Sequence, residues 1–226
     1  MRSHLLKGAL VMAIIFGASC GTSAGAGHLP APAADIPLGK AGELRTAVFA
    51  SGCFWCTEAV FQQIPGVVKV VSGYAGGTKD TADYETVSTG RTDHAECIQI
   101  TYEADKVTYG RLLQVFFTTH DPMTLNRQGP DSGRQYRSAV FYANDDQKRV
   151  AEAYVRQLTD AKAFTKPIVT TFEPLKDFYP AEAYHQDYAR LNPFQPYIQR
   201  YATPKAQKAK AEFGASAGAA SPTTQP

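Results

Sequence analysis

An α+β fold is predicted by three features of the chain. Apolar runs of strand period and helix period alternate, turn residues separate them, and no stretch repeats at a period of about 20 to 50 residues. The resulting order is strand, helix, strand, strand, helix, strand, helix, strand. That order suits a ferredoxin-like split βαβ two-layer sandwich with a mixed, mostly antiparallel sheet, followed by a long irregular aromatic C-terminal segment.

Each element has its own signal. Thr46 to Ala50 is short, apolar and ended by Ser51-Gly52, as a buried strand is. Cys53 to Ile64 carries Phe54, Ala59, Val60 and Phe61 at helical spacing and stops at Pro65-Gly66. β-Branched residues dominate 67–74, a second strand. Residues 75–93 are rich in Gly, Thr and Asp and read as a functional loop. His94 to Tyr102 alternates as a half-buried strand, and Thr108 is an N-cap for a helix reaching Thr119. A second loop, 120–135, is broken by Asp121-Pro122 and Gly129-Pro130. A strand over 137–143, a helix over 145–158 and a strand over 168–172 follow, after which Pro174, Pro180, Pro193 and Pro196 prevent long regular elements.

The two ends differ from the middle. Arg2 and Lys7 precede an apolar run from Ala9 to Phe16 and then small uncharged residues, the layout of a secretory signal peptide with Ala24-Gly25-Ala26 as its cleavage site. The run is far shorter than the roughly 20 residues of a membrane-spanning helix. Cys20, within Ala18-Ser19-Cys20-Gly21, is a competing lipid-anchor site, weakened by Gly17 where an aliphatic residue is usual. At the other end, Ala, Gly, Ser, Thr, Pro and Gln predominate, too little apolar surface to offset the entropy of ordering. The expected organisation is therefore a signal peptide over 1–26, a linker over 27–41, one folded domain over 42–202 and a disordered tail over 203–226, in an exported, periplasmic monomer.

A net charge of +2 with no basic stripe excludes a nucleic-acid footprint. Of four cysteines one lies in the leader, leaving Cys53, Cys56 and Cys97. An odd number in an exported protein excludes complete internal pairing and points to a working thiol.

The stretch Gly52-Cys53-Phe54-Trp55-Cys56-Thr57-Glu58 concentrates that chemistry and holds the only tryptophan. At a strand-to-helix junction the Cys53 sulfur faces free N–H groups and the positive end of the helix dipole, which favour its thiolate. Cys56 lies one turn on, on the same face. A zinc site needs four ligands, and neither a second Cys pair nor a His cluster completes this one, so no metal is expected. A structural Cys53–Cys56 disulfide would close too small a loop to stabilise much. A thioredoxin-like thiol-disulfide oxidoreductase is the stronger alternative, but its pattern has Trp before the first Cys and usually Gly-Pro between the two. Phe54 and Trp55 point in different directions on a helix, so at least one borders the thiol as a hydrophobic wall while the other is free to be core.

Four segments in order, "GCFWCTEAVFQQIPGVVKVVSGYAGG", "YETVSTGRTDHAE", "FFTTHDPMTLNRQGPDSGRQYRSAVFY" and "FYPAEAYHQDY", resemble the A class of peptide methionine sulfoxide reductases over about residues 46–201. The resemblance implies Cys53 as nucleophile, Phe54 and Trp55 as the receptor of the sulfoxide methyl group, and Glu96 as the buried acid for the sulfoxide oxygen. It further implies Tyr84 and Tyr136 as holders of that oxygen and Asp131 as an active-site carboxylate. The implied activity is reduction of the S epimer of methionine sulfoxide, free or in proteins, as a repair reaction. It needs no metal, flavin or nucleotide, only an external thioredoxin-like dithiol. The residues themselves agree: a carboxyl among aromatics is kept protonated by desolvation and can donate to the oxygen facing the thiolate.

Many members of that family carry Gly at position 56 and a resolving cysteine in a C-terminal tail; this chain has no cysteine after Cys97. Resolution of the Cys53 sulfenic acid then falls to Cys56, Cys97 or an external thiol, with Cys56 favoured by its i, i+3 spacing. Cys97 adjoins Glu96 on a strand and so faces the other way. His94, His120 and His185 are read as structural. A non-catalytic module binding oxidised or hydrophobic peptides is the third reading.

Overall fold

The computed structural model describes residues 28–215. The chain runs through β1 (Leu44–Ser51), α1 (Phe54–Phe61), β2 (Val67–Ala75), α2 (Tyr84–Ser88), β3 (Ala95–Glu103), α3 (Tyr109–Thr119), β4 (Arg127–Gln128), β5 (Asp131–Ser132), β6 (Ser138–Tyr142) and α4 (Asp145–Asp160). It ends with β7 (Thr171–Pro174), β8 (Phe178–Pro180), α5 (Tyr188–Leu191), a π-helical turn over Ile198–Ala202, and α6 (Thr203–Phe213).

One six-stranded sheet in the order β7-β6-β1-β3-β2-β8 organises the molecule. Every neighbouring pair in it is antiparallel except β6 and β7, joined through the α4 crossover in parallel. The fold is thus α+β with a mixed sheet. Alternation along β1 sorts the core: Phe49 joins the large cluster under α1, α3 and α4, while Val48 and Ala50 join a smaller one on the opposite face. α3 begins where Thr108 accepts from Arg111 N at 3.1 Å, the N-cap its hydroxyl predicts.

Several expectations need correction. The stretch 203–213 is not a disordered tail but helix α6, whose Ala209 is fully buried and whose Phe213 is 3% exposed in the main core. Pro204 in the first turn and the Ala, Lys and Gln that follow are good helix material, obscured when averaged with the Gly- and Ser-rich end. The rest of the expected tail, 216–226, lies outside the described residues, as do the expected signal peptide and Cys20.

Residues 28–41 are likewise packed on the domain rather than a free linker. Asp35 accepts from Gly110 N at 2.7 Å and from Thr108 Oγ1, and Tyr154 donates to the Pro30 carbonyl at 2.8 Å. The loop 75–93 contains α2, capped by Asp83 through Thr86 N, and the loop 120–135 contains the β4–β5 pair. The last predicted strand is shifted to 171–174, because Val169 N bonds to the Pro122 carbonyl instead of to β6. The aromatic end carries β8, α5 and the π turn, short elements that the prolines punctuate rather than exclude.

Candidate active site

The site is assembled at the start of α1. Gly52 has φ +91°, and a Cβ there would lie 2.4 Å from Cβ of Gln128, so only glycine allows this turn out of β1. Cys53 follows as the N-cap residue, with no side-chain cap bond. The N–H of Phe54 donates to Oε2 of Glu96 at 3.1 Å. The helix-terminal donor expected to serve the Cys53 thiolate is thus engaged by the carboxyl group, which β3 delivers from the neighbouring strand.

Both cysteines are buried, Cys53 at 8% exposure and Cys56 at 3%, beside Ile198 and Ala202 of the π turn. Burial raises the Cys53 thiol well above its ordinary range, and its hydrogen bond to Cys56 and that sulfur's charge add to the effect. The expectation of a lowered pKa at Cys53 is therefore not met in the ligand-free protein. Cys56 moves the opposite way, lowered mainly by the hydrogen bond it receives from Cys53. Its sulfur lies 4.0 Å from the Tyr197 hydroxyl, which donates to Oδ2 of Asp131 at 2.5 Å.

Glu96, 2% exposed, is pushed well above the carboxylate range first by burial and then by the charges of Cys53 and Asp131. Burial also raises Asp131. Tyr84 and Tyr136 are held above the usual phenol value by burial, then by the charge of Glu96, and both sense Cys53 and Asp131. The structure therefore brings Cys53, Glu96, Tyr84, Tyr136 and Asp131 into one cluster from five separate stretches. Cys97 stands apart on the opposite face of β3, in the small second core, 3.6 Å from the Gly73 carbonyl.

Phe54 is buried in the main core and Trp55 is half-buried between that core and the cysteine cluster. Trp55 stacks on Tyr188 with centroids 3.8 Å apart and planes 10° from parallel. Its indole N–H donates to Nδ1 of His185 at 3.1 Å, which sets the proton on Nε2. His185 is 1% exposed, held below its ordinary pKa by burial, and lies 5.0 Å from Phe54 and 4.5 Å from Tyr84, ring to ring. His185 is thus part of the aromatic wall that holds Trp55. Sequence reasoning also missed Tyr188 and Tyr197; the dense aromatics after Phe178 were the signal available.

The arrangement suits an oxygenated, weakly basic centre: a thiol opposite a carboxyl whose protonated form is favoured by burial, beside an aromatic wall. Fold and site together define an α+β domain with a buried cysteine facing a buried carboxyl group. Residues 45–217 match the family model described as peptide methionine sulfoxide reductase. The chain is 58% identical over 172 residues to peptide methionine sulfoxide reductase MsrA 2 of Mesorhizobium japonicum, covering 76% of this chain and 88% of the relative. It is 48% identical over 168 residues to MsrA of Deinococcus radiodurans, covering 74% and 82%. Among solved structures, reduced Mxr1 from Saccharomyces cerevisiae superposes with a TM-score of 0.63 at 36% identity, covering 72% of this chain and 91% of that one. Methionine sulfoxide reductase A of Corynebacterium diphtheriae gives 0.60 at 31% identity, covering 76% and 89%. The chain belongs to the peptide methionine sulfoxide reductase family and is an enzyme.

Proposed function

We propose that the protein reduces the S epimer of methionine sulfoxide, free and in proteins, through Cys53, with Cys56 resolving the intermediate. The observation that carries this reading is the Glu96 carboxyl, buried and hydrogen-bonded to Phe54 N beside Cys53. A sulfoxide sulfur becomes electrophilic when its oxygen is protonated or strongly hydrogen-bonded, and a carboxyl group with a raised pKa holds that proton at neutral pH.

In the first step Cys53 gives up its proton, to the ionised Cys56 sulfur that accepts its hydrogen bond or, where position 56 carries no thiolate, to solvent. The Cys53 sulfur attacks while Glu96 protonates the oxygen, with Tyr84, Tyr136 and Asp131 around it. The oxygen then passes from the substrate sulfur to the Cys53 sulfur as the transient bond between the two sulfurs breaks; methionine leaves, and Cys53 holds the oxygen as a sulfenic acid. Phe54 and Trp55 receive the methyl group. In the second step the Cys56 thiol attacks the Cys53 sulfur; water leaves and a Cys53–Cys56 disulfide forms. An external thioredoxin-like dithiol then reduces the disulfide, and Glu96 regains its proton from solvent. No metal, flavin or nucleotide takes part.

The strand order β6-β1-β3-β2, antiparallel throughout, supports a ferredoxin-like split βαβ core for this domain. The basic, apolar and small-residue layout of 1–26 supports export to a periplasm, where a monomer would repair oxidised proteins. Release of one methionine per enzyme from one epimer of a small sulfoxide substrate, abolished in Cys53→Ser, tests the activity. Release from both epimers, or from the Ser variant, would sink it.

A further inference from the structure

α1 carries a second carboxyl that the reaction scheme leaves unused. Glu58 is 2% exposed, one and a half turns beyond Cys53. Its Oε2 accepts from the backbone N–H of Asp187 at 3.0 Å. Asp187 has φ +57°, a left-handed conformation uncommon for a residue with a side chain, so its N–H is aimed by something outside local preference. One turn further along α1, Gln62 donates to Oδ1 of Asp187 at 2.8 Å, and Arg190 pairs with Oδ2 at 2.9 Å. The nearest cation is thereby committed to Asp187, and Glu58 itself has no ion-pair partner among the described residues.

The segment so gripped is the one that closes the aromatic wall. His185 and Tyr188 flank Asp187 and hold the two sides of Trp55, one by a hydrogen bond and one by stacking. Gln186 fixes the same segment to β2, accepting from Ser72 N at 2.9 Å and donating to the Ser72 carbonyl at 3.0 Å. On α1, Glu58 adds to the Gln62 and Trp55 contacts a bond to the segment's backbone. That bond needs only a side-chain oxygen at this reach, which a glutamine would also supply.

We propose that Glu58 is a positioning residue for sulfoxide reduction: through Asp187 N–H it holds His185 and Tyr188 against Trp55 and so sets the shape of the methyl-binding wall. This rests on the reading of Phe54 and Trp55 as the substrate wall. Glu58 bonds to the Asp187 segment and not to Cys53 or Glu96, and its effect passes through that segment.

Because Trp55 is the only tryptophan, its emission reports this contact directly. In Glu58→Ala, the emission maximum should move to longer wavelength as Tyr188 and His185 leave the indole. KM for a small methionine sulfoxide should rise about tenfold, with single-turnover release at saturation changed less than about threefold. The Asp187 amide should lose its protection from hydrogen exchange, and Glu58→Gln should restore most of all three. If Glu58→Ala does not fold, Glu58→Asp withdraws the carboxylate by one methylene and should shift the emission and KM in the same direction. Unchanged emission and KM in a folded Ala or Asp variant overturn the proposal, as does failure of Gln to restore them. Emission and exchange need no turnover, so they still decide the anchor if the parent proves inactive on sulfoxides.

Discussion

The Tyr197 hydroxyl lies 2.5 Å from Oδ2 of Asp131 and 4.0 Å from Sγ of Cys56, linking the second cysteine to a half-buried carboxyl group. In the proposed scheme Cys56 must give up a proton when it attacks the sulfenic acid, and the Tyr197–Asp131 pair is the polar path at hand. Because the Tyr197 hydroxyl also bonds Cys53, Tyr197→Phe should slow the first methionine release somewhat, but slow disulfide formation more, by about tenfold. Rapid quench with a sulfenic-acid trap measures both; equal loss in the two steps would place Tyr197 elsewhere in the cycle.

Glu96 should make activity fall as pH rises. Its folded pKa is raised by burial, so the protonated, donating form is present at neutral pH and is lost as pH climbs through the raised value. Glu96→Gln keeps a donor but cannot transfer a proton, and should lose about 10²- to 10⁴-fold in kcat. The part of the alkaline limb due to Glu96 should disappear in its pH–rate profile. A variant with parental kcat, or an unaltered alkaline limb, would show that another group supplies the proton.

Glu58 makes a separate mark on stability. Burial raises it from 4.5 to about 7, so between those values the folded protein binds more protons than the unfolded chain. Stability from this group is thus present at low pH and is lost as pH rises from about 4.5 to 7, by roughly 3 kcal/mol in all. Urea unfolding across that window should show Glu58→Gln gaining on the parent by about this amount as pH increases. Parallel curves would mean that Glu58 titrates alike in the folded and unfolded protein.

How far the sequence discloses this site depends on which physics governs each residue. Cys53, Glu96, Tyr84, Tyr136 and Asp131 were legible through motif resemblance, and the structure gathers them. β1, α1, β2, β3, α3, β6 and α4 were legible because strand and helix periods are strong there, with Thr108 marking a cap, whereas α2 and the β4–β5 pair are too short to show a period and read as loops. α6 was not, because its burial depends on Ala209 and Phe213 meeting a core that composition does not reveal. Nor was the Cys53 pKa: the dipole argument is local, whereas the burial that outweighs it comes from the π turn, distant in sequence. His185, Tyr188 and Tyr197 lie in short elements whose partners, Trp55 and Asp131, are more than 60 residues away.

The central claim is that the two cysteines of one helical turn complete the catalytic cycle between them. Cys56→Ser should release methionine once and then fail to recycle with a thioredoxin-like dithiol, while Cys97→Ser should recycle normally. The most direct measurement is to react the reduced enzyme with one equivalent of methionine sulfoxide, block free thiols, and map the disulfide by mass spectrometry. A Cys53–Cys56 bond with Cys97 alkylated is the predicted result; a bond to Cys97, or a Cys53 sulfenic acid that persists beside a free Cys56, would contradict it.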